Sequence, residues 1–282
     1  LFLFTTINVS AQIAQDSSFS YSLDSVIVSA SRYSIPLNDA PFSIILGDAQ
    51  RIDNTVNPLS IEEILNSGAG IFVFNRNNLS QGDKIAIRGI GTRAQFGVRG
   101  IKIFLDGIPM TFPDGQSQLN NINVQDIESA EVLLGPSSVI YGNALGGAIL
   151  LRSKRGTENM INLQPSFTIG SFGQKKYSLN SNYNFNGNNI KLGGYLSEST
   201  GYRDHSNAKF SGLNLLADFR LTPNMEISLI GNYYNAPYLL NPSTLNKTDS
   251  KENPSGVRNS VLNFATAKKI DQLQGGININ YS

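Results

Sequence analysis

Residues that usually carry reaction chemistry are scarce in this sequence. His205 is the only histidine in 282 residues, and there is no cysteine. With one histidine, neither a histidine-based metal site nor Ser-His-Asp catalysis is expected, and without cysteine neither a disulfide framework nor a thiolate metal site can form. One fingerprint offers itself: Gly89-Ile-Gly91-Thr-Arg-Ala94 follows an apolar run and fits the G-x-G-x-x-A of dinucleotide binding. That pattern needs a helix directly afterwards, to aim its N-terminus at the pyrophosphate. Gln95-Phe-Gly-Val-Arg-Gly100 puts two more glycines there instead, so no helix starts and the reading fails. No cofactor and no enzymatic activity are expected.

What remains is the chemistry of the main chain. Asp24-Ser25-Val26-Ile27-Val28-Ser29-Ala30 is a β-branched run between polar flanks. Such a run is either an ordinary edge strand or a segment that a partner captures by strand addition, with main-chain hydrogen bonds supplying the affinity.

The elements around it must be mostly strands. A net charge of +1, without a long basic run, argues against nucleic acid as a partner. No window holds the apolar run of a membrane helix, a test that β-barrels escape because their strands alternate. Leu1 to Ala11 has the look of the end of a signal-peptide apolar region, and residues 12–40 read as a flexible leader. Residues 41–154 read as a mixed α/β domain. Ser60-Ile-Glu-Glu63 opens a short helix there, Asp106-Gly-Ile-Pro109 is a turn, and short apolar strands run between glycine-rich connections. Its last part runs from Asp126 to Ile149. An apolar strand meets a Gly135-Pro136 corner, a helical turn follows, and Gly146-Gly147 lets a second strand lie close against other backbone.

After Arg155 the texture changes. Ile161 to Ile169, Tyr177 to Phe185, Leu213 to Leu221 and Leu273 to Tyr281 alternate apolar with polar residues, and Ile190 to Ser197 and Met225 to Tyr233 do so less cleanly. Six antiparallel strands with odd-numbered residues on one apolar face follow, the even-numbered Ile190, Leu192 and Leu196 taking that face in their own strand. A soluble sandwich alternates in the same way. Tight turns at Gly187 and Thr222 on one side, with long connections on the other, favour a membrane barrel. Six strands cannot close, since such barrels start at about eight.

The stretch from Asp126 to Ile149 resembles the end of the plug domain of TonB-dependent outer-membrane receptors. Their pattern is I-E-x-x-E-V-L-x-G-P-x-S-x-x-Y-G-x-x-A-x-G-G-x-I, with an Arg where this chain has Leu134. The runs IAIRGIG and FLDGIP resemble the same family, as does residues 24–30 to its TonB box. The resemblance implies a mixed α/β plug (41–154) followed by an antiparallel transmembrane β-barrel (155–282), six strands of about 22. It further implies import across the bacterial outer membrane, driven by TonB and its inner-membrane energising complex. The run Asp106 to Gln118 and Gly201 to Ser206 resemble receptors of the ferric-dicitrate type, which makes an iron chelate the expected cargo. Arg93, Gln116, Gln118 and Arg203 are then its candidate contacts, since anionic chelates need cations or hydrogen-bond donors. The plain alternative is that Asp114-Gly115 is a turn and the arginines are solvated. Cobalamin, another metal chelate, an oligosaccharide, or a barrel without energised transport stay open as alternatives.

Overall fold

The computed structural model describes residues 27–28, 35–47, 59–65, 68–74, 78–94, 97–117, 119–156 and 161–281. The signal remnant expected at 1–11, and Asp24, Ser25, Val26, Ser29, Ala30 and Gln118, lie outside the described residues.

The described chain starts with a small antiparallel ribbon of β1 (Ile27–Val28) and β2 (Ile35–Pro36). A 3-10 turn (Leu37–Asp39) leads to β3 (Ser43–Gly47) and then to α1 (Glu62–Leu65). Next come β4 (Ile71–Phe74), β5 (Lys84–Ile87), β6 (Val98–Arg99), β7 (Ile101–Leu105), β8 (Ile108–Pro109) and β9 (Gln116–Ser117). A second 3-10 turn (Val124–Asp126) runs into β10 (Ile127–Leu134), α2 (Ser138–Tyr141) and β11 (Gly147–Ser153).

Five of these strands share one sheet around the main core, while β1-β2, β4-β5 and β6-β9 pair off as two-stranded sheets. The sheet has the order β3-β10-β11-β7-β8, with β11 parallel to β7 and the other pairs antiparallel. Ile61, Ile64, Leu65, Ile85, Ile87, Ile101, Ile103, Ile127 and Ile149 lie at the centre of an apolar cluster drawn wholly from residues 61–151. Leu134, standing where the family pattern has Arg, packs against this cluster. Backbone closeness explains Gly147: its φ is 141°, and a Cβ there would run into the carbonyl oxygen of Leu133 on the neighbouring strand. The Asp106-Gly107 turn has both residues at positive φ (49° and 85°), the two-residue hairpin form that such a dipeptide favours.

Six antiparallel strands follow in sequential order: β12 (Ile161–Ile169), β13 (Lys175–Phe185), β14 (Asn188–Ser199), β15 (Ala208–Thr222), β16 (Met225–Leu240) and β17 (Ala267–Tyr281). Leu179, Leu192, Leu196, Leu215, Leu273 and Ile277 are exposed on one face. Lys176, Ser178, Asn189, Lys191, Ser197, Asp218, Ser228 and Asn232 are buried on the other. The apolar face thus points outward, in the expected register, and the polar face points at the mixed domain. Asn186-Gly187 (φ 48° and 79°) and Pro223-Asn224 make the tight turns at one end.

The strands run longer than the alternation suggests, because β15, β16 and β17 carry their pairing past the apolar stretch. The connection between the last two is therefore shorter than the sequence implied, and it is folded. It holds α3 (Lys247–Glu252), capped where Asn246 accepts from the Asp249 amide, and α4 (Asn259–Phe264), which ends on a left-handed Ala265. Among the described residues no helix is long and apolar enough to cross a membrane, which says nothing of strands.

Candidate functional site

The site lies where the mixed domain meets the buried face of the six strands. At the tight-turn end the two are joined by charge. Arg155 Nε donates to Asp218 at 2.8 Å, and its Nη1 lies 3.5 Å from Asp106. Ser228 Oγ donates to the other Asp218 oxygen at 2.6 Å, and Ser153 donates from both N and Oγ to Asp106. Burial works against the Arg155 charge, but Asp218 and Asp106 outweigh it and hold the guanidinium above its ordinary value. Beside this cluster, Lys191 Nζ reaches Asp126 Oδ1 at 3.3 Å, both side chains being buried. Gln274 Nε2 donates to the Pro109 carbonyl at 2.7 Å, and Ile108 presses on Gly276, where no side chain intervenes.

Towards the long-loop end the seam opens into a cavity of about 1120 Å³. Leu59 and Leu79 pack there on a wall cluster of Tyr195, Phe210, Tyr234 and Leu239. Lys176 lies at the cavity's edge, donating to Asn123 Oδ1 at 2.9 Å and standing 5.3 Å from the centre of the Tyr195 ring. Amides and hydroxyls make much of the remaining lining, among them Asn78, Gln81, Asn120, Gln174, Ser199 and Ser206.

Asp83 borders this cavity and fixes the loop above α1. It accepts from Ser60 Oγ at 2.7 Å and from the Ile61 amide at 3.3 Å, while Ser60 Oγ in turn accepts from the Glu62 amide. Helix α1 therefore starts on a cap shared by Ser60 and a residue distant in sequence. Burial pushes the Asp83 carboxyl up to about 6, against the two hydrogen bonds that favour its charge.

The three described candidate cargo contacts, Arg93, Gln116 and Arg203, fall in different places. Arg203 lines the large cavity, but its guanidinium donates to the carbonyls of Gly256 (2.7 Å from Nη2, 3.1 Å from Nε), Pro242 and Ser243. Gln116 lines a second cavity of about 480 Å³, shared with Asp83, Asn120 and Asn241. Its side chain accepts from Arg99, which also pairs with Asp114 at 3.3 Å. Asp114 Oδ1 accepts from the Gln116 amide, so Asp114-Gly115 is a turn. Arg93 is exposed on the turn after Gly91 and lines neither cavity. Lys176, Asp83 and Tyr195 were not singled out from the sequence. The inward parity of Lys176 within its strand was the available signal.

Of the strand-addition segment, Ile27 and Val28 are described. They pair with Pro36 and Ile35, Val28 is buried, and Ile27 is 55% exposed. The ladder is two residue pairs long. Among the described residues no group of histidine, cysteine or carboxylate side chains could hold a metal ion.

A mixed α/β domain seated on the buried, polar face of an up-and-down antiparallel sheet is the arrangement of a plug against a barrel wall. Residues 36–148 match the family model described as TonB-dependent Receptor Plug Domain. Residues 36–148 are thus a plug domain of the TonB-dependent receptor kind, and the strands after them have the fold of the first part of such a wall. The chain is 28% identical over 214 residues to the vitamin B12 transporter BtuB of Vibrio vulnificus (strain CMCP6), covering 73% of this chain and 34% of that protein. It is 27% identical over 114 residues to the ferrioxamine receptor of Yersinia enterocolitica, covering 40% of this chain and 15% of the relative. In fold it is similar to a variant of the ferric enterobactin receptor PfeA from Pseudomonas aeruginosa. The TM-score is 0.61 at 16% identity, over 87% of this chain and 39% of that one. The chain spans about a third of the length of the vitamin B12 transporter it matches.

Proposed function

We propose that this chain is the front part of an outer-membrane receptor that imports a scarce ligand, an iron chelate, into the periplasm with energy transmitted by TonB. The plug seated on the wall's polar face carries the reading, because a passive pore has no use for a domain filling its lumen. The alternating wall, apolar outward, suits lipid. Residues 24–30 are the handle for TonB: Ile27 and Val28 already hold a strand whose ladder with Ile35 and Pro36 is only two pairs long, so a partner strand can replace it. No covalent chemistry is required of the receptor. The relatives named for vitamin B12 and for ferrioxamine support a chelate or corrinoid cargo, and a corrinoid is the second reading.

The test is paired, on the full-length receptor in whole cells lacking other importers. Radioiron-labelled ferric dicitrate, labelled ferrioxamine and labelled cyanocobalamin are each measured for surface binding and for uptake over time. Ile27→Pro deletes a ladder hydrogen bond and bends the strand, whereas Ile27→Ala leaves the main chain intact. Binding is expected to survive both changes, and uptake to be lost in the proline variant alone. Unchanged uptake in Ile27→Pro would make the segment a linker strand and remove the energised step.

A further inference from the structure

Two connections at the long-loop end are bound to each other through main-chain acceptors. Residues 200–207 join β14 to β15, and residues 241–266 join β16 to β17. Arg203 reaches across from the first to carbonyls at 242, 243 and 256 in the second, which draws two distant parts of the longer connection together. The Asp204 amide donates to the Ser255 carbonyl at 2.8 Å, and His205 Nε2 lies 2.9 Å from the Thr266 carbonyl. A planar guanidinium can hold several carbonyls at fixed angles at once, which a lysine ammonium does not reproduce.

The fastened pair is in turn hydrogen-bonded to the plug through Asn241. Asn241 Oδ1 accepts from the Ser243 amide at 2.9 Å and from Asn78 Nδ2 at 3.1 Å. Asn78 Oδ1 accepts from the amide and the hydroxyl of Ser80, at 3.1 and 2.6 Å. Main-chain amides can only donate, so both side-chain amides have their orientation fixed, and the Asn78 to Asn241 bond runs in one direction. The Asn78 carbonyl also closes the turn by accepting from the Gln81 and Gly82 amides. That turn continues to Asp83, the residue that caps α1 inside the plug.

We propose that Arg203 is a positioning residue that fastens connections 200–207 and 241–266 into one preformed rim, and that Asn241 hands this rim to the plug apex through Asn78, so that rim and apex loosen and tighten together. The proposal rests on the receptor reading only in taking this end as the one cargo meets. On this view Arg203 shapes the mouth of the large cavity through its bonds to main-chain carbonyls.

The experiment is hydrogen exchange of the purified full-length receptor in lipid nanodiscs, followed by mass spectrometry with no cargo added. Arg203→Ala is expected to speed exchange in 241–256 on the order of tenfold or more, since hydrogen bonds to a charged donor are among the stronger ones. Arg203→Lys is expected to give a smaller acceleration, and it serves if the alanine variant fails to fold. Both changes are expected to speed exchange in 78–82 as well. Asn78→Asp keeps the acceptor for Ser80 but replaces the donor facing Asn241. In that background, Arg203→Ala or Arg203→Lys is expected to loosen 241–256 without reaching 78–82. Unchanged exchange in 241–256 in both Arg203 variants would overturn the clamp. A loosened rim that leaves 78–82 untouched in the wild-type background would overturn the link. Loss of the import reading would appear in uptake measurements and leave these exchange patterns as they are.

Discussion

Lys191 Nζ of the wall lies 3.3 Å from Asp126 Oδ1 of the plug, with both side chains buried in the seam. Asp126 ends the 3-10 turn that leads into the glycine-corner motif, so the residue the wall grips directly precedes the family pattern.

Removing one partner of such a pair strands the other charge. Lys191→Met is expected to destabilise the seated plug by about 3–5 kcal/mol, while Lys191→Met with Asp126→Leu should recover most of that loss. Calorimetric unfolding of the purified receptor in detergent reads both. A single variant as stable as wild type would mean that the pair is solvated and carries little.

The Asp83 carboxyl titrates near 6 in the fold, above its ordinary 3.8. Its folded value is raised, so the native state binds this proton more tightly than the unfolded chain does. Its contribution therefore favours the fold increasingly as pH falls from about 7 to about 4. Asp83→Asn keeps an acceptor for Ser60 and Ile61 without the buried charge. It should raise plug stability at neutral pH by at most about 3 kcal/mol and flatten the pH slope in that window. Denaturant titrations at a series of pH values would expose the opposite sign.

Gly147 and Gly142 both have positive φ, at 141° and 58°, yet they should respond differently to alanine. At Gly147 the new methyl meets main-chain oxygen that cannot move aside, whereas nothing lies within 4 Å at Gly142. Gly147→Ala should cost several kcal/mol and leave little folded receptor, and Gly142→Ala about 1–2 kcal/mol. Comparing the melting temperatures and membrane yields of the two variants checks this ranking.

Leu179, half exposed in the middle of β13, and Ser178 beside it report on which face meets lipid. Leu179→Arg should impair folding into lipid vesicles by about 2–4 kcal/mol. Equal tolerance of Leu179→Arg in vesicles and in a detergent solution would speak against a lipid-facing wall.

The wall was legible in the sequence because alternation states directly which way each residue faces. Leu179, Leu215 and Ile277 lie outward on that rule, and so do Leu192 and Leu196 by their even numbers. The short strands and turns of the plug were legible for a related reason: Asp106-Gly107 and Gly146-Gly147 do locally what their chemistry allows. Parity gives a direction but no partner. Lys176, Lys191 and Asp218 read only as polar residues on the inward side, while their partners Asn123, Asp126 and Arg155 are distant in the chain. The sequence offers Arg203 as a candidate cargo contact but does not display the main-chain carbonyls that it holds. The turn of helix at 247–252 could have been found from Asn246 and Asp249, the cap spacing inside a stretch read as loop.

The plug's apolar cluster is closed upon residues 61–151, while much of its contact with the wall is made by amides, hydroxyls and ion pairs. Water substitutes well for polar contacts and poorly for apolar ones, so the two boundaries differ in how they fail under load. A force applied through the leader would meet a seam that solvent can heal behind it before it meets a core that solvent opposes opening. Under such a force the domain would slip as a piece along the wall before its own core opened.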